Sequence, residues 1–227
     1  MGFLEEWDLT HDEMNELLAQ NPSLRSFVSG YAAELKCKNL FFVNDPRASD
    51  VIKYDDHDRT HKGDIHLTYR GRVFSIEVKS LQMNSIREGN KLEATKLEIP
   101  AGTLKRGVFQ CDASDRRRVV FKDGTSVETT CLLVGEFDVV AVNLHGFYGR
   151  WEFVFARNSE LPTVSGIRGK ARDYTELQRS SLLASSIPVF YPNAGTIFHK
   201  EPWGIFDSIL EDDAKNYIPE PPIIIDG

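Results

Sequence analysis

Asp64, Glu77 and Lys79 are the residues of this chain whose types and spacing best suit a chemical task. Two carboxylates that meet at one point offer oxygen ligands to a hard divalent cation such as magnesium, which favours an octahedral oxygen shell and keeps several waters. A main-chain carbonyl, here that of Val78, would extend the ligand set and leave positions for water and a phosphate oxygen. A lysine beside such an ion can hold or help deprotonate an attacking water and stabilise the charge of a pentavalent transition state. The pattern reads as metal-assisted phosphodiester hydrolysis, on the condition that the fold brings the three side chains together.

The local pattern supplies a means. In KGDIHLTYRGRVFSIEVKS, Ile65, Leu67 and Tyr69 alternate with Asp64, His66 and Thr68. After an Arg70-Gly71 turn, Phe74, Ile76 and Val78 alternate with Ser75, Glu77 and Lys79. A period of two in both runs predicts a β-hairpin with one apolar and one polar face per strand. Glu77 and Lys79 then share the polar face of one strand, and Asp64 and His66 that of the other.

Other elements must position this hairpin. Thr10 and Glu13 form a capping box, with Leu9 and Met14 placed as a hydrophobic staple, so a helix is expected from about Thr10 to Gln20. Asn21-Pro22 starts a second helix. In it Leu24, Phe27, Val28, Tyr31 and Leu35 recur at helical spacing and make one stripe expected to be buried, with Glu34 at its border, where a cleft can open. Phe41–Val43 and Asp50–Tyr54 read as short strands, and a helix is expected around Gly102–Gln110. Arg118–Phe121 and Val127–Leu133 read as a second hairpin turning at Lys122-Asp123-Gly124. Phe137–Leu144 is a nearly continuous apolar run, as in a strand covered on both faces, and Trp151–Ala156 is its expected partner, with Trp151, Phe153 and Phe155 read as core. A further helix is expected from about Tyr174 to Ser185, followed by an irregular tail ending in IPEPPIIIDG.

The Asp64…Glu77-Val78-Lys79 arrangement, with twelve residues between the two acids, resembles the catalytic motif of the PD-(D/E)XK nuclease superfamily. That motif is an acid at a strand start, then Glu/Asp-x-Lys on the next strand. The superfamily often adds a glutamate from the first core helix, and Glu34 in GYAAELK stands where it would fall. The resemblance covers residues 21–145 by layout and implies an α/β (α+β) fold with a restriction-endonuclease-like core, a central mixed β-sheet flanked by helices. Type II restriction endonucleases are the nearest look-alike in size. On that footing the chain is expected to be a magnesium-dependent endodeoxyribonuclease cutting double-stranded DNA, with Asp64, Glu77 and Val78 at the metal and Lys79 and Glu34 assisting. A palindromic site would require a homodimer, to which Ile223-Ile224-Ile225 is a candidate contributor. Gly63 stands at the superfamily's nominal proline, and the Gln-x-x-x-Tyr signature of its recombination-type members is missing after Lys79. A structure-specific repair or recombination nuclease, and a nuclease-like fold that only binds DNA or protein, are the alternatives.

Charge bears on the expected partner. Residues 1–20 carry six acids and no Lys or Arg, and residues 201–227 carry a net −6, so the total of −7 leaves +5 on residues 21–200. A mildly basic body between acidic ends is compatible with DNA, although acidic ends also serve solubility alone. Lys105, Arg106, Gln110, Arg116, Arg117 and Arg118 are candidate DNA contacts, the ordinary alternative being a charged strand end. Arg168, Lys170 and Arg172 read as an exposed loop, and Asp55, Asp56, His57, Asp58 and His61 as a solvated one beside the site. Cys37, Cys111 and Cys131 form no paired motif and are read as buried or partly buried thiols. The start MGFLEEWDLT has no basic region followed by an apolar run, and no bilayer-spanning stretch follows, so a cytoplasmic protein is expected. The expected organisation is an acidic N-terminal helical extension (1–20), a nuclease domain (21–200) and an acidic tail (201–227).

Overall fold

The computed structural model describes residues 2–54, 61–100, 102–166, 173–192 and 196–215, and the backbone of 223–225. Asp55, Asp56, His57, Asp58, Arg168, Lys170 and Arg172 lie outside the described residues. In chain order the elements are α1 (Phe3–Glu6), α2 (His11–Gln20), α3 (Pro22–Phe41), β1 (Ser49–Ile52), β2 (Ile65–Tyr69) and β3 (Arg72–Ser80). There follow β4 (Arg87–Glu88), α4 (Lys91–Lys96), β5 (Lys105–Gln110), β6 (Asp112–Val120), β7 (Ser126–Cys131) and β8 (Val139–Asn143). The chain continues through α5 (His145–Tyr148), β9 (Phe153–Arg157), α6 (Glu176–Ser181), β10 (Ser186–Tyr191), α7 (Trp203–Ala214) and β11 (Ile223–Ile225).

The expected hairpin forms. Arg70 and Gly71 both take positive φ, 49° and 82°, the two-residue turn whose twist matches the flanking strands. Pairing of Ile65 with Ile76 and of Leu67 with Phe74 puts both apolar rows on one face. The central sheet has the order β1-β2-β3-β8-β9. β1, β2 and β3 are antiparallel, β3 and β8 run parallel, and β9 returns antiparallel to β8. It is a mixed sheet flanked by helices in an α+β protein. Every residue of β8 is buried, as its unbroken apolar run requires. Val139 and Ala141 enter the core that contains α3 and α7, whereas Val140 and Val142 enter a second core with Phe109, Ile187 and Val189 of β5 and β10. Phe153 and Phe155 lie in the first of these cores and Trp151 packs at its margin.

Several elements depart from the sequence expectation. The stripe of α3 is the largest departure: Leu24, Phe27, Val28, Tyr31 and Leu35 are exposed, and the helix meets the core through Ala33 and Cys37 instead. Phe41–Val43 is not a strand, because α3 continues to Phe41 and carries Phe42 into the aromatic core. Residues 105–110 form a strand rather than a helix, with Gly107 and Phe109 buried at a period of two and six register pairs to β10. The helix after Tyr174 ends at Ser181, since Ser186–Tyr191 is taken by that pairing. Twelve residues of the supposed irregular tail form α7, whose Trp203, Ile205, Phe206 and Ile209 are buried. Its acids are not merely solvating. Asp207, Asp212 and Asp213 pair with Arg70, Arg157 and Arg72 at 3.0, 2.5 and 2.6 Å, fastening the helix to the sheet. Ile223–Ile225 pairs its backbone with β6 of the same chain. No helix among the described residues is long and apolar enough to cross a membrane.

Candidate active site

Asp64 stands one residue before β2, and its N–H donates to the Ile76 carbonyl at 2.8 Å. It thus continues the register in which Ile65 faces Ile76, which places it across from Glu77. In the parallel pairing, Glu77 aligns with Val140 and Lys79 with Val142, so both polar side chains project from the face that carries the second core. The small sheet of β4, β5 and β10 covers that face over β8 and β9. Beside it a cleft of about 510 Å³ opens, lined by Asp64, Glu77 and Lys79 together with Glu34. The four candidate catalytic residues therefore share one cavity.

The backbone before Asp64 explains an oddity of the motif. Gly63 has φ +90°, and a Cβ there would lie 3.2 Å from the Ile76 nitrogen. Proline fixes φ near −65°, so neither its ring nor any other side chain suits this position.

Inside the cleft the charges are mixed. The Lys79 ammonium lies 2.6 Å from Glu77 Oε1 and donates to the Asp112 carbonyl at 3.2 Å. Glu34 pairs with Lys53 at 2.8 Å, and Asp64 Oδ2 accepts the Val78 N–H at 2.7 Å. Burial raises the Asp64 pKa well above the usual carboxylate range; Glu77 and then Glu34 push it further, against the opposing pull of Lys79 and of the Val78 N–H. Burial alone would depress Lys79, but the Glu77 and Asp64 charges outweigh it and lift the ammonium above its ordinary pKa. Lys79 is thereby held as a cation. It donates to Glu77 and to the Asp112 carbonyl.

Val78 has its side chain in the core and its N–H directed at Asp64. The N–H and C=O of one residue in an extended strand point to the same edge, so the Val78 carbonyl is also directed to the Asp64 side, beyond the last β2–β3 pair. Among the described residues no three His, Cys, Asp or Glu side chains form a ready-made metal cage. Asp64, Glu77 and the Val78 carbonyl nevertheless suit magnesium, which is commonly held by one or two carboxylates and keeps its waters. Burial first, and then repulsion from Glu77 and Glu34, disfavours the Asp64 carboxylate, a cost that a bound cation would offset.

The proposed DNA contacts scatter. Of Lys105, Arg106, Gln110, Arg116, Arg117 and Arg118, only Arg117 lines the cleft. There its guanidinium forks onto Glu136, with Nη2 also donating to the Cys131 carbonyl at 3.2 Å. Glu136 accepts the Leu133 N–H at 2.9 Å as well, so the pair braces the wall. Lys105 sits over the Tyr148 ring at 4.0 Å, and Arg106 lies 3.5 Å from Glu93. Gln110 and Arg116 are exposed, and Arg118 reaches Ser126 Oγ at 3.3 Å. His66 does not line the cleft; its ring packs edge-on to Tyr54 and His61, of which both do. Cys37 and Cys111 are buried and Cys131 is partly buried, as expected. Sequence reasoning missed Lys53, Tyr31 and Glu136. Tyr31 lies on α3, Lys53 one residue beyond β1 and Glu136 between β7 and β8, too far apart in the chain to make one local pattern. No protein-family model, curated protein or solved structure matches this chain.

Proposed function

We propose that this chain is a magnesium-dependent endonuclease that hydrolyses DNA phosphodiester bonds, of the PD-(D/E)XK type and closest in kind to a type II restriction enzyme. The observation that carries the reading is the convergence of Asp64, Glu77, Lys79 and Glu34 on one cleft, from two paired strands and the first long helix. The resemblance implies a helix, three antiparallel strands, a second helix and a further strand. Helix α3, β1–β3 and the parallel β8 follow that order and add support, whereas β3 and β8 are joined through the strands β4–β7, with the six-residue α4 as the helix between them.

Asp64, Glu77 and the Val78 carbonyl would hold the ion. When bound, magnesium would offset the carboxylate charge and polarise the scissile phosphate. Lys79, fixed by Glu77, presents a positive charge where the phosphoryl oxygens become more negative in the transition state. Glu34, held by Lys53 on the helix side, would accept a hydrogen bond from the attacking water and orient it. The test is incubation of purified protein with plasmid DNA and magnesium. Discrete fragments are expected, with a loss of about 10²–10³-fold or more in Lys79→Ala, the cost of removing one transition-state donor. Failure to cut plasmid, linear duplex and single strands alike would overturn the proposal.

A further inference from the structure

We infer that the α3 wall of the cleft is a stacking site for unpaired nucleobases of the strand whose phosphate meets Asp64, Glu77 and Lys79. Of the proposed function this uses one part, that a nucleic acid strand occupies the cleft. Two unlike surfaces line that cavity. One is the charged floor of Asp64, Glu77, Lys79 and Glu34. The other is Ser26, Phe27, Gly30 and Tyr31 of α3, with Tyr54 and His61 completing it. Residues 21–33 carry a single charge, Arg25, so this wall has little to offer a phosphate. What it offers is rings. Phe27 is 66% and Tyr31 48% exposed, and the Tyr54 and His61 rings stack with centroids 3.6 Å apart and planes 10° from parallel. An unpaired nucleotide joins a flat π-face to a charged backbone, and rings along an ionic floor match both parts of it. A base inside a duplex turns its faces to its neighbours and only its edges to the grooves, so a side-chain ring meets a base face only where the stack is broken.

A single exposed phenylalanine is ordinary on a protein surface. Position sets these rings apart. Phe27, Tyr31 and Glu34 follow at spacings of four and three, one row along the helix. Along the helix axis Tyr31 stands ~5 Å and Phe27 ~10 Å from Glu34. Successive nucleotides of a strand are ~3.4 Å apart, so a strand beside the helix brings bases to the rings about one and three nucleotides from the phosphate at the acids. Gly30 lies between the two rings in the chain and also lines the cleft. Glycine weakens a helix interior, and here nothing within 4 Å would meet an added Cβ. The chain's own packing does not call for that gap. A flat ligand laid beside the rings does. A protein partner fits less well. Leu24, Val28 and Leu35 are exposed on the same helix but do not line the cleft. With them the five large side chains present roughly 400 Å², about half of the ~800 Å² that each partner brings to a standard interface. The net +5 of residues 21–200 favours a polyanion.

The test is fluorescence anisotropy of a labelled short single strand, in magnesium and on a Lys79→Ala background that slows cutting. Phe27→Ala, at an exposed position, is expected to lose about ten-fold in affinity with an unchanged circular dichroism spectrum, and Phe27→Trp to keep or gain affinity. Gly30→Leu, which fills the gap, is expected to weaken binding as well. A strand carrying abasic sites is expected to bind weakly, and equally with and without Phe27, because the cycle isolates the ring–base contact. The same loss on a matched duplex would show bases drawn out of the double helix, and a loss confined to the single strand would show a strand that enters single. Equal single-strand affinity with and without Phe27 overturns the inference, and a doubled chain mass in light scattering would then assign the face to a second copy. If the wild type cuts plasmid in that case, the nuclease reading stands without this one. A chain that neither binds nor cuts any nucleic acid ends both.

Discussion

Asp64→Asn should stabilise this protein while removing a metal ligand. The substitution preserves the side chain's shape and an oxygen that can accept the Val78 N–H, now 2.7 Å from Oδ2. It deletes a charge that burial, Glu77 and Glu34 all oppose. Single stabilising changes, charge optimisation among them, contribute about 0.5–2 kcal/mol in general. For a chain of this size each kcal/mol moves the melting temperature by roughly 2–4 °C, so a rise of about 1–8 °C is expected at neutral pH without metal. The pH dependence follows from linkage. The folded pKa is raised above its ordinary value of 3.8, so across that window the native state keeps a proton that the unfolded chain releases. Wild-type stability therefore falls as pH rises through the window, and the advantage of Asn should shrink to nothing near and below pH ~4. Magnesium should act the other way on the wild type, adding about 1.4 kcal/mol at ten times its dissociation constant, and much less on Asp64→Asn. Thermal melts across pH, with and without magnesium, read all of this. A variant that melts below the wild type at neutral pH, or an advantage that persists unchanged in acid, would refute the reasoning.

Three other outcomes bear on the architecture. Arg117→Ala leaves Glu136, with a side chain only 3% exposed, without its guanidinium partner; a loss of about 3–5 kcal/mol in urea denaturation is expected, and a much smaller one for Arg117→Met combined with Glu136→Leu. Phe206→Ala empties a fully buried site whose ring lies 4.4 Å from that of Phe74, and should cost about 3–5 kcal/mol by the same measurement. An unchanged midpoint would mean that α7 is not part of the core. Burial pushes the Cys111 thiol up to about 12 and raises Cys37 likewise, so mass spectrometry after alkylation at mildly basic pH should find both unmodified in the native protein and modified after unfolding.

The central hairpin and the buried strand were legible in the amino-acid order because both are local patterns. Alternation in 65–69 and 72–80, a glycine in the turn and an unbroken apolar run near 139–143 each follow from the period of a strand and from its coverage. Thr10 announced its helix in the same way, and its hydroxyl does accept the Glu13 N–H. Which face of α3 meets the core was not local. Its best stripe points to solvent because Ala33 and Cys37, small enough for close approach to the sheet, were the residues chosen for burial. Helix α7 was obscured by its acids, although Trp203, Phe206 and Ile209 recur at helical spacing, because their partners Arg70, Arg72 and Arg157 lie more than fifty residues away. The residue types for a candidate catalytic set were thus written in a short stretch of chain. Their convergence with Glu34, the lysine pairings and the split of the basic residues away from the cleft were decided by strand register and long-range packing, which depend on every element at once.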